Sequence, residues 1–200
     1  LCLGNFDGVH RGHQALIAAA ARMRQERFPS ATLGAFCFRG LSSDFLSQNP
    51  PGHLTSETER LERFREAGAE IAVLADFPAL RDMEPDAFVR DVLQRDCHCV
   101  AAACGFNHRF GRRGKGTPEL LRDMLGGDLL VCDAALDGGE PISSTRVRRL
   151  LLDGKPDVEA MRRAAEFLVG EHDFRSFCAN PQMKKSTVRI VDSIEIQQKK

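Results

Sequence analysis

The sequence carries no net charge, since 28 Lys and Arg are balanced by 28 Asp and Glu. No global field therefore draws the chain to nucleic acid or to an anionic membrane, and only local basic patches remain as such a device. No apolar run approaches the roughly 20 residues of a membrane-spanning helix, and the start lacks the layout of a signal peptide. There is no internal repeat and no low-complexity segment. The seven cysteines have neither the even count nor the spacing of a disulfide framework. Cys97-His98-Cys99 followed by Cys104 invites a zinc reading, but Cys97 and Cys99 sit closer than the usual C-x₂₋₄-C pair. Buried, reduced thiols in a cytoplasmic protein are the expectation. An initiating Met is also missing, and the apolar opening Leu1-Cys2-Leu3-Gly4 suggests a first strand truncated at its N-terminal end.

What is present can fill a core and cover it, with 42% apolar and 28% charged residues. The 200 residues suit one ordinary domain with an appendage, or two small domains. From Leu1 to Cys132, short β-like runs alternate with helical patterns, as in a parallel α/β sheet with helices on both faces. Strands are expected over Leu1–Gly4, Ala31–Phe38, Ile71–Leu74, Cys99–Cys104 and Asp128–Cys132. Helices are expected over His13–Gln25, from Thr55 to about Ala67, over Glu84–Arg95 and over Pro118–Met124. Ser42–His53 and the basic Gly105–Gly116 stretch read as loops. Right-handed crossovers in such a sheet place a ligand crevice at the carboxyl ends of the strands. After Pro156 the pattern changes to one helix, Asp157–Val169, and one alternating strand, Ser186–Gln197.

Two segments carry chemistry. Gly4-Asn5-Phe6-Asp7-Gly8-Val9-His10-Arg11-Gly12-His13 lies between the first strand and the first helix. Its glycines permit positive φ and close approach of a ligand, and the helix start offers unpaired N–H groups to an anion. His10 and His13 are three residues apart, so both can project from one side of the first turn and donate to phosphate oxygens as charge builds there. The plain alternative is a Gly-rich connection with two surface histidines. The second segment, Ile142-Ser143-Ser144-Thr145-Arg146-Val147-Arg148, reads as a hydroxyl-capped helix start with a cationic first turn. Cations there oppose the helix dipole by about 0.3–1 kcal/mol each when exposed, so a bound phosphate would relieve the arrangement. A basic solvated helix is the alternative.

The first string resembles the His-x-Gly-His signature of the nucleotidyltransferase superfamily and, at its full length, that of the bacterial FAD synthetases. The second resembles the Ile-Ser-Ser-Thr-x-x-Arg signature of the same family, in the same order. Gly105-Phe106-Asn107-His108-Arg109-Phe110-Gly111 is similar to the family's Gly-x-Asp/Asn-x-Arg-Phe-Gly segment. The resemblance implies a Rossmann-like fold over residues 1–156 and transfer of AMP from ATP to FMN, with Mg²⁺ accompanying the ATP. It implies phosphate-stabilising roles for His10 and His13. ATP and phosphate binding would fall to Gly4, Asn5, Phe6, Asp7, Gly8, Ser143, Ser144, Thr145 and Arg148, and nucleotide framing to Gly105, Asn107 and Arg109. The metal ligands are left open, with Asp7 as an indirect candidate.

Two features depart from the family. Ala35-Phe36-Cys37-Phe38-Arg39-Gly40 stands where Thr-Phe-x-Pro-His-Pro is usual, which bears on the flavin wall. The riboflavin-kinase domain expected after Gly154 is not found. Instead, Ala164–Cys178 and Lys184–Arg189 resemble a C-terminal stretch of tRNA pseudouridine synthases. That family's Arg-Thr-Asp-x-Gly-Val-His-Ala motif is missing, as is any Tyr, and His172 and Asp173 read as a structural pair at a helix end. The chain thus reads as two unlike pieces, 1–156 and 157–200, joined near Lys155–Val158. An adenylyl transferase, an RNA-binding remnant that would meet tRNA, and an inactive nucleotide binder are the three readings, none of them at a membrane.

Overall fold

The computed structural model describes residues 1–154, 157–173 and 187–196. It divides into two compact units, Leu1–Arg148 and Arg149–Lys200.

In the first unit, β1 (Cys2–Leu3), β2 (Gly34–Phe38), β3 (Ile71–Ala75), β4 (Ala102–Gly105) and β5 (Leu129–Cys132) form a parallel sheet in the order β3-β2-β1-β4-β5. Side chains alternate between its faces. Cys2, Ala35, Cys37 and Ala103 join one core cluster, and Leu3, Phe36, Ala102 and Cys104 join the other. The first cluster is closed by Leu16, Ile17 and Ala20 of α1 (Arg11–Arg27) and by Phe64 of α3 (Glu57–Glu66), which follows the short α2 (Ser43–Leu46). The second is closed by Phe88, Val89 and Leu93 of a π-helix (Phe88–Asp96) and by Leu121 of α6 (Pro118–Met124). Two short helices, α4 (Phe77–Leu80) and α5 (Pro85–Ala87), precede that π-helix. Because the chain leaves β1 for β2 and β3 on one side and returns to β4 and β5 on the other, the switch point lies beside β1.

Local chemistry sets the element ends. Ser56 and Glu59 form a reciprocal capping box at the start of α3, and Gly68, at φ +98, ends that helix. Pro118 opens α6, with the Thr117 side chain accepting from the Leu120 N–H. Two strands begin three residues later than the sequence pattern predicts. Ala31 is held in a turn by its N–H bond to the Phe28 carbonyl (2.9 Å), so β2 starts at Gly34. The Cys99 N–H closes the π-helix on the Leu93 carbonyl (2.8 Å), so β4 starts at Ala102. The Ser42–His53 stretch, expected as a loop, contains α2, and β6 (Leu136–Asp137) pairs antiparallel with β7 (Glu140–Pro141) through a turn that Gly138 and Gly139 make with positive φ. Helix α7 (Ser144–Leu152) follows at once.

The second unit contains α8 (Val158–Glu166), capped by Asp157 on the Ala160 N–H (2.9 Å), and an antiparallel pair, β8 (Gly170–Asp173) with β9 (Val188–Val191). The helix expected to reach Val169 stops at Glu166, and Gly170, at φ +108, turns the chain into a strand. His172 and Asp173 therefore stand in β8, not at a helix end. Expectations for Lys155, Pro156, the Phe174–Ser186 stretch and Gln197 fall outside the described residues. Among the described residues of this unit only Ala165 is buried, while Phe167 is 80% exposed.

Candidate functional site

The turn from β1 to α1 is built on strained backbone. Phe6 (φ 53) and Val9 (φ 37) both lie in the left-handed region, and both are fully buried. For a β-branched residue this costs about 1–3 kcal/mol and persists only where the surroundings impose it. Those surroundings are visible: the Phe6 ring sits 5.1 Å from the His13 ring and 5.1 Å, edge-on, from Phe64. Helix α1 begins with His10 as its cap residue and no side-chain cap hydrogen bond. Its first N–H groups and its positive dipole end are thus left to a ligand.

His10 and His13 stack with centroids 3.7 Å apart and planes 16° from parallel. The Nδ1 atom of each is buried without a hydrogen-bond partner. Both rings keep some exposed surface, yet protein atoms crowd them. Burial lowers the His10 pKa below its ordinary value, against opposing pulls from its own backbone and from Asp7. Burial, with the neighbouring His10 charge, brings His13 down to about 3. The pair is neutral at neutral pH and can donate or accept without carrying charge. Gly12 makes the stack possible, because a Cβ there would meet His10 Nδ1 at 3.2 Å and the Ile142 carbonyl oxygen at 3.6 Å.

That carbonyl belongs to the second segment, so the two helix starts converge. Ser143 caps α7 by accepting from the Arg146 N–H (3.2 Å), and the Ser144 hydroxyl donates to the Asp7 carbonyl (2.8 Å). Arg148 donates to the Asp7 carboxylate and, through Nε, to the Gly52 carbonyl (2.7 Å). Arg146 pairs with Asp137 (3.1 Å) and Glu140 (3.0 Å) of the β6–β7 hairpin. The cationic helix start therefore has carboxylate partners already, and its sequence does not by itself require a bound anion.

Asp7 is 3% exposed, and its other carboxylate oxygen accepts from the Leu54 N–H (2.9 Å). The Gly8 N–H donates to Thr55 Oγ1 (3.2 Å), and the Gly4 N–H to the Phe36 carbonyl (3.3 Å). The Phe6 ring faces the core, each Asp7 carboxylate oxygen holds a distant segment, and the Gly8 amide has a protein partner. Asn5, whose amide donates to the Ser42 hydroxyl (3.2 Å), Thr145, Asn107 and Arg109 are exposed. Gly105 ends β4, the strand beside β1, and places Asn107 and Arg109 on the loop that follows. The Arg109 guanidinium donates to the His108 carbonyl (2.9 Å).

Sequence reasoning missed Thr55 and Arg60. Thr55 was absorbed into a helix-start pattern. Arg60 stands four residues before Phe64 on one helix face, which was the only available signal of burial. A cavity of about 560 Å³ at the amino ends of the strands, against Leu1, Leu33, Ile71 and Ala101, contains none of these site residues.

Residues 1–146 match the family model described as FAD synthetase. The chain belongs to the FAD synthetase family. It is similar to the bifunctional riboflavin kinase/FMN adenylyltransferase of Escherichia coli K12, with 31% identity over 157 residues that cover 76% of this chain and 50% of the relative. The Bacillus subtilis protein of that name is 28% identical over 179 residues, covering 87% of this chain and 54% of the relative. A Geobacillus thermodenitrificans relative described in the same terms is 31% identical over 166 residues, covering 78% of this chain and 83% of the relative. The chain spans about half the length of the E. coli and B. subtilis relatives. A crystal structure described as a macrolide-efflux protein from Streptococcus pneumoniae superposes with a TM-score of 0.67 at 25% identity, covering 84% of this chain and 54% of that one. In this FAD synthetase family member no helix among the described residues is long and apolar enough to cross a membrane. Residues 164–200 match a second model, described as tRNA pseudouridine synthase.

The departure at Ala35–Gly40 is accommodated without loss of the sheet. Phe38 packs edge-on against Phe36 (6.3 Å) and Phe77 (4.9 Å), while Arg39 points outward and pairs with Glu57 (3.3 Å).

Proposed function

We propose that residues 1–156 form an FMN adenylyltransferase, which joins AMP from ATP to FMN and releases pyrophosphate, and that 157–200 is a separate piece. The observation that carries this reading is the meeting of two helix starts at Gly12 and Ile142, beside two imidazoles whose buried Nδ1 atoms have no partner. A phosphate oxygen of FMN attacks the α-phosphorus of ATP, the bond from that phosphorus to the bridging oxygen breaks, and pyrophosphate carries away the electron pair. No covalent enzyme intermediate is needed, so catalysis rests on positioning and on donors aimed at developing charge. His10 and His13 hold the reacting phosphate. The start of α7, with Ser143, Ser144 and Thr145, receives the β- and γ-phosphates, and Arg148 locks that start onto the first turn through Asp7. Asn107 frames the nucleotide from the loop after β4. Mg²⁺ enters with ATP as part of the substrate complex. The six described cysteines are free, which supports a cytoplasmic setting.

The test mixes the full chain with ATP, Mg²⁺ and FMN and follows flavin fluorescence, which falls as the adenine of FAD stacks on the isoalloxazine. A steady decrease that stops when ATP is omitted is expected. Tight ATP binding with unchanged fluorescence would leave a nucleotide binder without this activity, and salt-sensitive tRNA binding would favour the RNA reading of the tail.

A further inference from the structure

Arg60 is 4% exposed, on the inward face of α3. Its guanidinium donates to three carbonyls, those of Phe38 (2.9 Å), Gly40 (3.1 Å) and Asn5 (3.3 Å). Its Nε is buried without a partner, and among the described residues no carboxylate pairs with it. Burying a guanidinium that way is costly, because carbonyl dipoles replace water but do not cancel the charge. A methionine or leucine would fill the same space without the buried charge, but would leave the three carbonyls without their donor. The three carbonyls are also specific in place. Asn5 lies in the first phosphate turn, Phe38 ends β2, and Gly40, at φ +69, opens the segment that returns to bond Asp7 and Gly8 through Leu54 and Thr55.

We propose that Arg60 is a positioning residue for the triphosphate, acting from beneath the first phosphate turn. By drawing the Asn5 carbonyl inward it turns the Phe6 N–H, in the same trans peptide plane, the opposite way. Its charge, which no acid among the described residues pairs with, adds to the positive end of α1 at the place where an anion would bind. The role is indirect, since Arg60 reaches no substrate atom, and it rests on the nucleotide-site reading given above, though not on the identity of the acceptor.

The experiment compares binding of Mg·ATP and of adenosine by calorimetry for the full chain and for R60M and R60K. A charge aimed at phosphate changes the ATP affinity and spares adenosine, whereas a packing role moves both together. For R60M the expected result is an ATP affinity weaker by about tenfold, with adenosine binding within about twofold of the parent. For R60K, which keeps the charge but loses the fork geometry, the ratio of the two affinities stays near that of the parent even if Tm falls. Equal weakening of both ligands in R60M, or no weakening of either, overturns the proposal. If R60M does not fold, the decision passes to R60K, where a collapsed ratio overturns it. A parent chain that binds ATP but makes no FAD would sink the flavin acceptor and leave this test readable. A parent that binds no ATP would sink both.

Discussion

The two helix starts that meet at Gly12 and Ile142 differ in what they leave unsatisfied. The α7 start is largely held by protein partners: Ser143 caps the Arg146 N–H, and Arg146 and Arg148 have acid partners in Asp137, Glu140 and Asp7. The α1 start is not. It has no side-chain cap, it follows residues in strained conformations, and two imidazole nitrogens are buried without partners. Unmet hydrogen-bonding capacity therefore gathers at α1, and the basic segment, which draws the eye in the sequence, is the more settled of the two. The comparison separates a start that awaits charge from a start that holds the first one in place.

The largest effect should come from the unsatisfied side. A His10→Ala/His13→Ala variant is expected to form FAD at least ~10³-fold more slowly, given that one well-placed donor is worth about 10²–10³, while ATP binding, read by calorimetry, changes far less. Equal rates would break the contrast outright. On the settled side, Arg148→Ala leaves the Asp7 carboxylate buried and unpaired, and a loss of about 3–5 kcal/mol in urea unfolding is expected. Adding Asp7→Asn should recover part of it. If Arg148→Ala instead lowers activity with stability intact, the pair is not structural and the Arg148 guanidinium itself acts on substrate.

The smallest effect is a slope. Burial brings His13 from 6.5 down to about 3 in the folded protein. Above pH 6.5 the imidazole is neutral in both states and costs nothing. As pH falls from 6.5 towards 3, the unfolded chain gains a proton that the folded one refuses, so stability declines over that window. A His13→Gln variant should show a flatter loss of Tm between pH 6.5 and 4, by a few degrees. Parallel acid limbs would mean that His13 is not desolvated.

The sheet was legible because strand and helix periods alternate so cleanly from Leu1 to Cys132, and the five strands and the helices ending at Ala67 and Met124 fall where those periods place them within a few residues. Boundaries slipped where backbone bonds outside the repeat intervene, as at Ala31 and Cys99. The hairpin after Leu136 had a signal in Asp137-Gly138-Gly139, a dipeptide pattern of tight turns, but its arms are only two residues each and leave no alternation to read. Within the site, residue types revealed the motifs and concealed the wiring. Asp7, Thr55 and Arg60 look like solvated or capping residues in one dimension, and only the approach of distant segments buries them. Arg146 and Arg148 suggested a phosphate because their acid partners lie in other parts of the chain, and spacing along one helix cannot show that.

The bond between Asp7 and Arg148 joins residues 141 positions apart. Within this unit the first phosphate turn is synthesised well before the counter-ion that holds it, which comes at the unit's last residue. Until α7 is made, Asp7 lacks the cation that it is buried against in the folded unit. The wiring of the turn is thus complete only once the last residue of the unit is present, and a chain cut before Arg148 would leave Asp7 without its cation.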